Sequence, residues 1–176
     1  QKGTAVTLPT YSATGYTFGG WYTDKNYTTK VTTITSSSTG DKTFYAKMTP
    51  NTYKITYYSG TWPITYSIVD GFNYYLNPET YTYGVGVPTL PKYVLKGETF
   101  EGWYSDQELT KKVTSIPATS TGNIKLYVKM SKDVYTITYY NGDTKITGLS
   151  PTTYSYGNGS TKLPKTYFID INEFPN

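Results

Sequence analysis

Trp62, Tyr66, Phe72, Tyr74 and Tyr75 bring five aromatic side chains into residues 62–75. The chemistry open to them is stacking, because an exposed ring presents a flat apolar face that a sugar or a partner side chain can cover. Thr61 to Leu76 is therefore the candidate ligand-contact surface, since loops held by a rigid scaffold carry recognition more often than cores do. The competing reading is an extended hairpin tip packed on a neighbouring unit. Trp21 and Trp103 offer the same ring chemistry, but each follows a glycine, in Phe18-Gly19-Gly20-Trp21 and Phe100-Glu101-Gly102-Trp103. Aromatic burial dominates small cores, so Trp21, Trp103, Phe18, Phe100, Gly20 and Gly102 are expected to form the repeat core.

Acid–base and metal chemistry has little to work with. His 0 and Cys 0 remove the commonest general base and metal ligand, together with every thiolate and disulfide. The 12 acidic residues form no pair marked by its spacing, and Gly84-Val85-Gly86 lacks the third glycine and following helix of a phosphate loop. No catalytic, cofactor or metal site is expected. Asn26-Tyr27-Thr28 and Asn158-Gly159-Ser160 spell a glycosylation sequon, a pattern that arises by chance in a threonine-rich chain.

All 16 basic residues are lysine and the net charge is +4. A nucleic-acid reader would use arginine for bidentate contacts, so no nucleic-acid partner is expected. Lys47, Lys111, Lys112 and Lys129 read either as a basic strip for anionic polymers or as a solvated strand face that protects an edge. A lysine isopeptide staple would suit a thiol-free surface protein, but no spacing picks out a pair. No run of 18 apolar residues occurs, so no membrane insertion is expected of this segment. Gln1 opens no signal peptide, and the chain reads as a piece of something longer that starts and stops partway through a repeat.

The elements that position these residues are written twice. Trp21 and Trp103 lie 82 residues apart, and from Thr7/Thr89 to Tyr58/Tyr140 that offset holds without a gap, with 27 identities in 52 positions. A period of this length is that of a small domain rather than of a solenoid turn. Thr, Tyr, Val and Ile typify the composition, with 22 Tyr and 18% aromatic residues, which suits pleated, half-buried sheet surfaces and makes the expected class all-β or β-rich α+β.

Tyr53-Lys54-Ile55-Thr56-Tyr57 alternates with period two, as a half-buried strand requires, and Tyr135 to Tyr140 copies it. Ser59-Gly60 and Asn141-Gly142-Asp143 follow as hairpin turns. Next come Asn77 to Gly84 and Ser150 to Gly157, where the offset drops to 73 because the second connection has lost nine residues. Leu90-Pro91 is an extended connector, and Thr99 to Tyr104 is a strand in which Gly102 leaves room for a bulge. Lys125 to Met130 is the last strand, with Leu126, Val128 and Met130 inward; Phe44, Ala46 and Met48 take those places in the first copy. Gln107 to Lys112 is expected to make one short helical turn. The linkers, Thr49 to Thr52 and Ser131 to Val134, are short, so adjacent units are expected to touch.

This ordered set, Tyr53-Lys54-Ile55-Thr56-Tyr57, Asn77-Pro78-x-x-Tyr81, Leu90-Pro91, Gly97-x-x-Phe100-x-Gly102-Trp103-Tyr104, Thr121-Gly122 and Leu126-Tyr127-Val128-Lys129, resembles the Listeria/Bacteroides repeat, or internalin B-repeat, family. It departs in having Met48 or Met130 for the closing Trp and a reduced double-Gly turn. The resemblance implies a β-rich α+β fold of tandem small β-grasp, ubiquitin-like units, mostly strands with at most short helical turns. It also implies non-enzymatic proteins, secreted or held at the bacterial cell surface.

Two phases of the repeat remain open, beside a third possibility that half-repeats pair across units. One makes 1–49 a partial repeat, 53–131 a complete one and 135–176 a partial one with a divergent end; the other divides the chain into 1–83 and 84–166. The expected function is an extracellular stalk or spacer with a part in adhesion. The alternative is a carbohydrate- or host-protein-binding module working through Trp62 to Tyr75. Expected partners are neighbouring repeats and a host protein or glycan.

Overall fold

The computed structural model describes residues 3–69, 72–76 and 78–158. Among these residues the protein is all strand and loop, with no helix. The helical part of the α+β expectation thus has no counterpart here. At Gln107 to Lys112 the reason is local: the Asp106 carboxylate accepts hydrogen bonds from the amides of Thr110 (3.0 Å) and Lys111 (2.7 Å). Those donors are drawn into a turn around one side chain, with Leu109 at φ 56, a left-handed value that no helix accommodates.

The first copy contributes β1 (Val6–Thr7), β2 (Tyr16–Tyr22), β3 (Lys30–Val31), β4 (Thr33–Ile34) and β5 (Tyr45–Pro50). Strand β2 lies between β3 and β5, antiparallel to both, and β1 pairs with β4. The central copy follows with β6 (Thr52–Ser59), β7 (Trp62–Ile64), β8 (Tyr66–Val69), β9 (Phe72–Tyr75), β10 (Thr80–Thr82), β11 (Glu98–Tyr104), β12 (Lys112–Val113) and β13 (Ile124–Lys132). Its sheet runs β10-β6-β13-β11-β12, with β7 paired to β6 as well. Among the described residues only the β6–β13 pair is parallel, joining the first and last strands of the copy. The third copy supplies β14 (Val134–Thr136), β15 (Tyr139–Asn141), β16 (Thr144–Ile146) and β17 (Thr153–Ser155), with β14 paired to β17 and β15 to β16.

The expected turns and bulges have clear causes. Ser59 pairs with Trp62 and Asn141 with Thr144 across two-residue loops whose first members, Gly60 and Gly142, have φ of 57 and 55. That is the pattern of the tight hairpins whose twist matches their strands. The register of β11 against β13 slips between Phe100 and Gly102, and that of β2 against β5 slips between Phe18 and Gly20. Each bulge turns a tryptophan inward.

The buried cluster belongs to the central copy: Ile55, Tyr57, Leu76, Tyr81, Val87, Leu90, Tyr93, Trp103, Ile116, Leu126 and Val128. The period-two reading of β6 explains Ile55 and Tyr57, and that of β13 explains Leu126 and Val128. Tyrosine serves this core because its ring packs while its hydroxyl reaches a loop. Tyr57 donates to the Pro78 carbonyl (2.8 Å) and Tyr81 to the Gly122 carbonyl (2.6 Å). Among the described residues no buried side-chain polar atom lacks a partner.

Candidate functional site: the inter-repeat joint and the exposed aromatic edge

Strand β5 runs through the single residue Asn51 into β6, and β13 runs through Asp133 into β14. At the first junction the Asn51 amide donates to the Gly15 carbonyl (2.8 Å), while its own carbonyl accepts from the Tyr83 amide (2.9 Å). The second junction repeats this: Asp133 donates to Gly97 (2.9 Å) and accepts from Tyr156 (3.0 Å). The side chains are used as well. Thr17 donates its hydroxyl to Asn51 Oδ1 (2.6 Å), and Thr99 donates to Asp133 Oδ1 (2.8 Å).

Gly15 and Gly97 are glycines for two reasons at once. Their φ values are 79 and 75, a region that favours glycine. A Cβ at Gly15 would run into the Tyr83 ring, and one at Gly97 into the Tyr156 ring. Tyr83 also meets Tyr16 edge-on, ring centres 5.3 Å apart. Each joint is thus a ring seated on a bare glycine and tied by a two-way backbone bridge. Gly15 and Gly97 were visible in the sequence only as a repeated identity; nothing local marked their tyrosine partners.

Trp103 is 2% exposed and donates its indole N–H to the Pro91 carbonyl (2.6 Å), with Tyr57 packed on it at 4.8 Å. A buried ring cannot serve as a sugar platform, so that reading is withdrawn for Trp103. Trp21 makes the equivalent bond to the Pro9 carbonyl (2.6 Å) but is half-buried. Phe18 and Phe100 are half-buried beside their tryptophans, at 5.4 and 5.8 Å. Gly20 and Gly102 carry φ of 121 and 144, and the stems of Lys30 and Lys112 cross them where a side chain would stand.

The aromatic segment resolves differently. Trp62 stands 77% exposed on β7 and Tyr66 is 40% exposed on β8. The side chains of Phe72, Tyr74 and Tyr75 lie outside the described residues. Strands β8 and β9 form a hairpin of their own, interposed between β7 and β10, which both pair with β6. The longer connection of the central copy is this hairpin, rising from a split edge strand.

Lys129 and Lys47 of the supposed basic strip are separately engaged. Lys129 pairs with Glu101 (2.9 Å), which holds the Glu101 carboxyl below its usual range and lifts Lys129 above its own. Lys47, whose counterpart of Glu101 is Gly19, sits near the rings of Tyr22 (5.7 Å) and Tyr27 (5.9 Å). The arrangement favours the solvated strand face.

A loop that sequence reasoning passed over is the Asp-x-x-x-Thr turn, present twice. Asp24 accepts from the Thr28 hydroxyl (2.7 Å) and from the amides of Asn26, Thr28 and Thr29, as Asp106 does from Thr110 and Lys111. The threonine hydroxyl is the main cause that depresses each carboxyl below the ordinary value. Its signal was the 82-residue repetition of Asp and Thr with unlike residues between them.

Hollows lie in all three copies. One of about 340 Å³ lies beside Trp21, against Leu8, Pro9, Phe18 and Val31. The others, about 190 and 260 Å³, occupy the same place in two copies, bounded by Ile55, Tyr57 and Ile64 and by Ile137, Tyr139 and Ile146. Among the described residues no cluster of three or more acidic side chains could hold a metal, and no helix is long and apolar enough to cross a membrane.

The repeated spelling and its repeated geometry agree with a family match over residues 1–47 and 62–129, to the Listeria-Bacteroides repeat domain. The chain belongs to that family. It is also similar to a protein of Evansella cellulosilytica that carries the name Gly-rich membrane protein, at 29% identity over 148 residues. That alignment takes in 83% of this chain and 16% of the relative, so the chain spans about a sixth of the protein it matches. No solved structure matches. A Listeria-Bacteroides repeat chain is therefore at hand, β-rich, with its repeat spacing and its joints both duplicated.

Proposed function

We propose that this chain is a non-enzymatic, extracellular repeat segment of a bacterial cell-surface protein, and that it acts as a stalk or spacer. The observation that carries the reading is the duplicated joint. A spacer works by holding reach, and a linker of flexible residues coils up, its span growing only as the square root of its length. One-residue junctions bridged on both sides by backbone bonds favour a stiffer array. The family's usual setting in bacterial surface proteins and the membrane-protein name of the relative support the location.

The units in this reading are of β-grasp type. Counting in chain order only the five strands of the β10-β6-β13-β11-β12 path, the sheet order is second, first, last, third, fourth, with the first and last strands parallel. This supports taking 53–131 as the complete repeat, flanked by partial ones at 1–49 and 135–176. Limited proteolysis tests the spacer. Residues 49–52 and 131–134 should resist cleavage as long as the sheets do, whereas early cuts at both would count against it.

A second reading, a binding module for a glycan or host protein, is favoured by the 77% exposure of Trp62 on an edge strand. Glycan-array or host-protein binding that disappears in Trp62→Ala would support it. Binding unchanged by that substitution would not.

A further inference from the structure

One position separates the outer sheet face of the first copy from that of the central one. In the central copy Glu101, at the bulge of β11, has its carboxylate 2.9 Å from Lys129 Nζ. Lys129, the Ser131 hydroxyl and Lys112 keep that carboxyl below its usual range. The counterparts of those three are Lys47, Thr49 and Lys30, all fit for the same task, whereas the counterpart of Glu101 is Gly19. The lysines are placed alike. Lys47 lies opposite Gly20 as Lys129 lies opposite Gly102. The ammoniums of Lys30 and Lys112 come within 3.0 and 3.1 Å of where a Cβ on those glycines would stand. Among the described residues neither Lys30 nor Lys47 has an ion-pair partner. Asp24, the acid of the adjoining loop, is taken up by the Thr28 hydroxyl and by amides of its own turn. The first copy thus keeps the frame of a carboxylate site and omits the carboxylate.

Beside that frame the copies differ a second time. Tyr27 takes the place of Leu109 in the aspartate-centred turn, the two sharing a left-handed φ of 55 and 56. Its ring meets that of Tyr22 edge-on at 5.5 Å, and the Lys47 ammonium lies 5.7 and 5.9 Å from the centres of the Tyr22 and Tyr27 rings. Tyr27 is 40% exposed. We infer that Tyr22, Tyr27, Lys30, Lys47 and Thr49 bind an acidic sugar, a uronic acid residue of a saccharide. Its carboxylate stands where Glu101 stands in the central copy, and its pyranose face lies on Tyr27. The carboxylate follows from that internal precedent, since a charged acceptor beside an ammonium makes short, strong hydrogen bonds. The sugar follows from the ring, whose apolar face and polar tip match an amphipathic pyranose. An acidic peptide side chain would fill the carboxylate place and leave the tyrosine face bare.

The notch is confined to one copy and forms no strip along the chain. In the complete central copy β6 pairs with β13 only as far as Tyr127, on the side away from β11, so Lys129 and Glu101 lie beyond that pairing. The corresponding place in the first copy therefore does not rest on whether a strand adjoins β5. Nor does the inference depend on the spacer reading or on the Trp62 surface: a spacer that carries a sugar is still a spacer, and the residues are different ones.

Calorimetric titration with an oligogalacturonide tests it. The unsubstituted chain should bind at one site, more weakly as salt is raised, and should bind an oligoglutamate peptide less tightly. Gly19→Glu supplies the missing carboxylate from within. A Cβ there meets Lys47 at 3.4 Å, an ordinary contact, and the φ of Gly19 is not left-handed, so the variant keeps the fold and should lose affinity by about tenfold or more. Tyr27→Leu copies the turn at Leu109 and should weaken the sugar as well. The reverse transplant, Glu101→Gly with Leu109→Tyr, should add a second site in the central copy, a gain that misfolding cannot mimic. No binding by the unsubstituted chain, affinity unchanged in Gly19→Glu or in Tyr27→Leu, a transplant that still binds at one site, or oligoglutamate binding as tightly as the sugar would each overturn the inference.

Discussion

Tryptophan is used in two ways that burial separates. Trp103 is locked between Tyr57, Phe100 and the Pro91 carbonyl, whereas Trp62 projects from an edge strand. Trp103→Ala should therefore cost about 3–5 kcal/mol of stability, as large core truncations do, while Trp62→Ala should stay within about 0.5 kcal/mol; chemical denaturation of each variant measures both. Burial also pushes the Tyr57 phenol up to about 12, with Glu79 adding to it. A raised folded-state value means the group's stabilisation is complete below the unfolded phenol's value of about 10. It is then lost as pH rises through the folded value. Alkaline titration of stability should show a decline between those limits that Tyr57→Phe flattens. The carboxyls of Asp24 and Asp106 run the other way: depressed in the fold, they stabilise their turns above the unfolded carboxylate value and cease to as pH falls through the folded one. Carbon-detected titration by nuclear magnetic resonance should place the Asp106 midpoint below that of a free aspartate, and Thr110→Val should bring it back up.

Strands were legible wherever side chains alternate. Ile55 and Tyr57 against Lys54 and Thr56, or Leu126 and Val128 against Lys125, announce a face, and the structure buries it. The bulge at Gly102 was legible because a glycine beside a tryptophan in a strand has few other uses. What escaped were features made by partners distant in sequence. The turn at Gln107 to Lys112 looked helical in composition, but one aspartate side chain outcompetes the helix for its amides. The tyrosine that fills the space over each joint glycine is 68 residues away at Gly15 and 59 away at Gly97, beyond any local pattern. The β8–β9 hairpin showed as an insertion of nine residues, with its shape unread. Since the third copy closes the same edge without it, replacing 66–75 by a short turn should leave the cooperative melt of the central sheet in place. A melt that disappears would mean that the hairpin is part of the core.

At the scale of the whole chain, the proposed spacer role depends on the joints. Asn51 and Asp133 each bond a glycine behind and a tyrosine ahead, so bending there must break backbone bonds as well as move a ring. The absence of cysteine allows site-specific spin labels to be placed freely. Labels at Lys25 and Gln107, exposed positions in equivalent loops of adjacent copies, report the distance across the first joint. Pulsed electron resonance should give a single narrow distance distribution that broadens in Tyr83→Ala. A broad distribution in the unsubstituted chain, no narrower than in Tyr83→Ala, would contradict a stiff spacer.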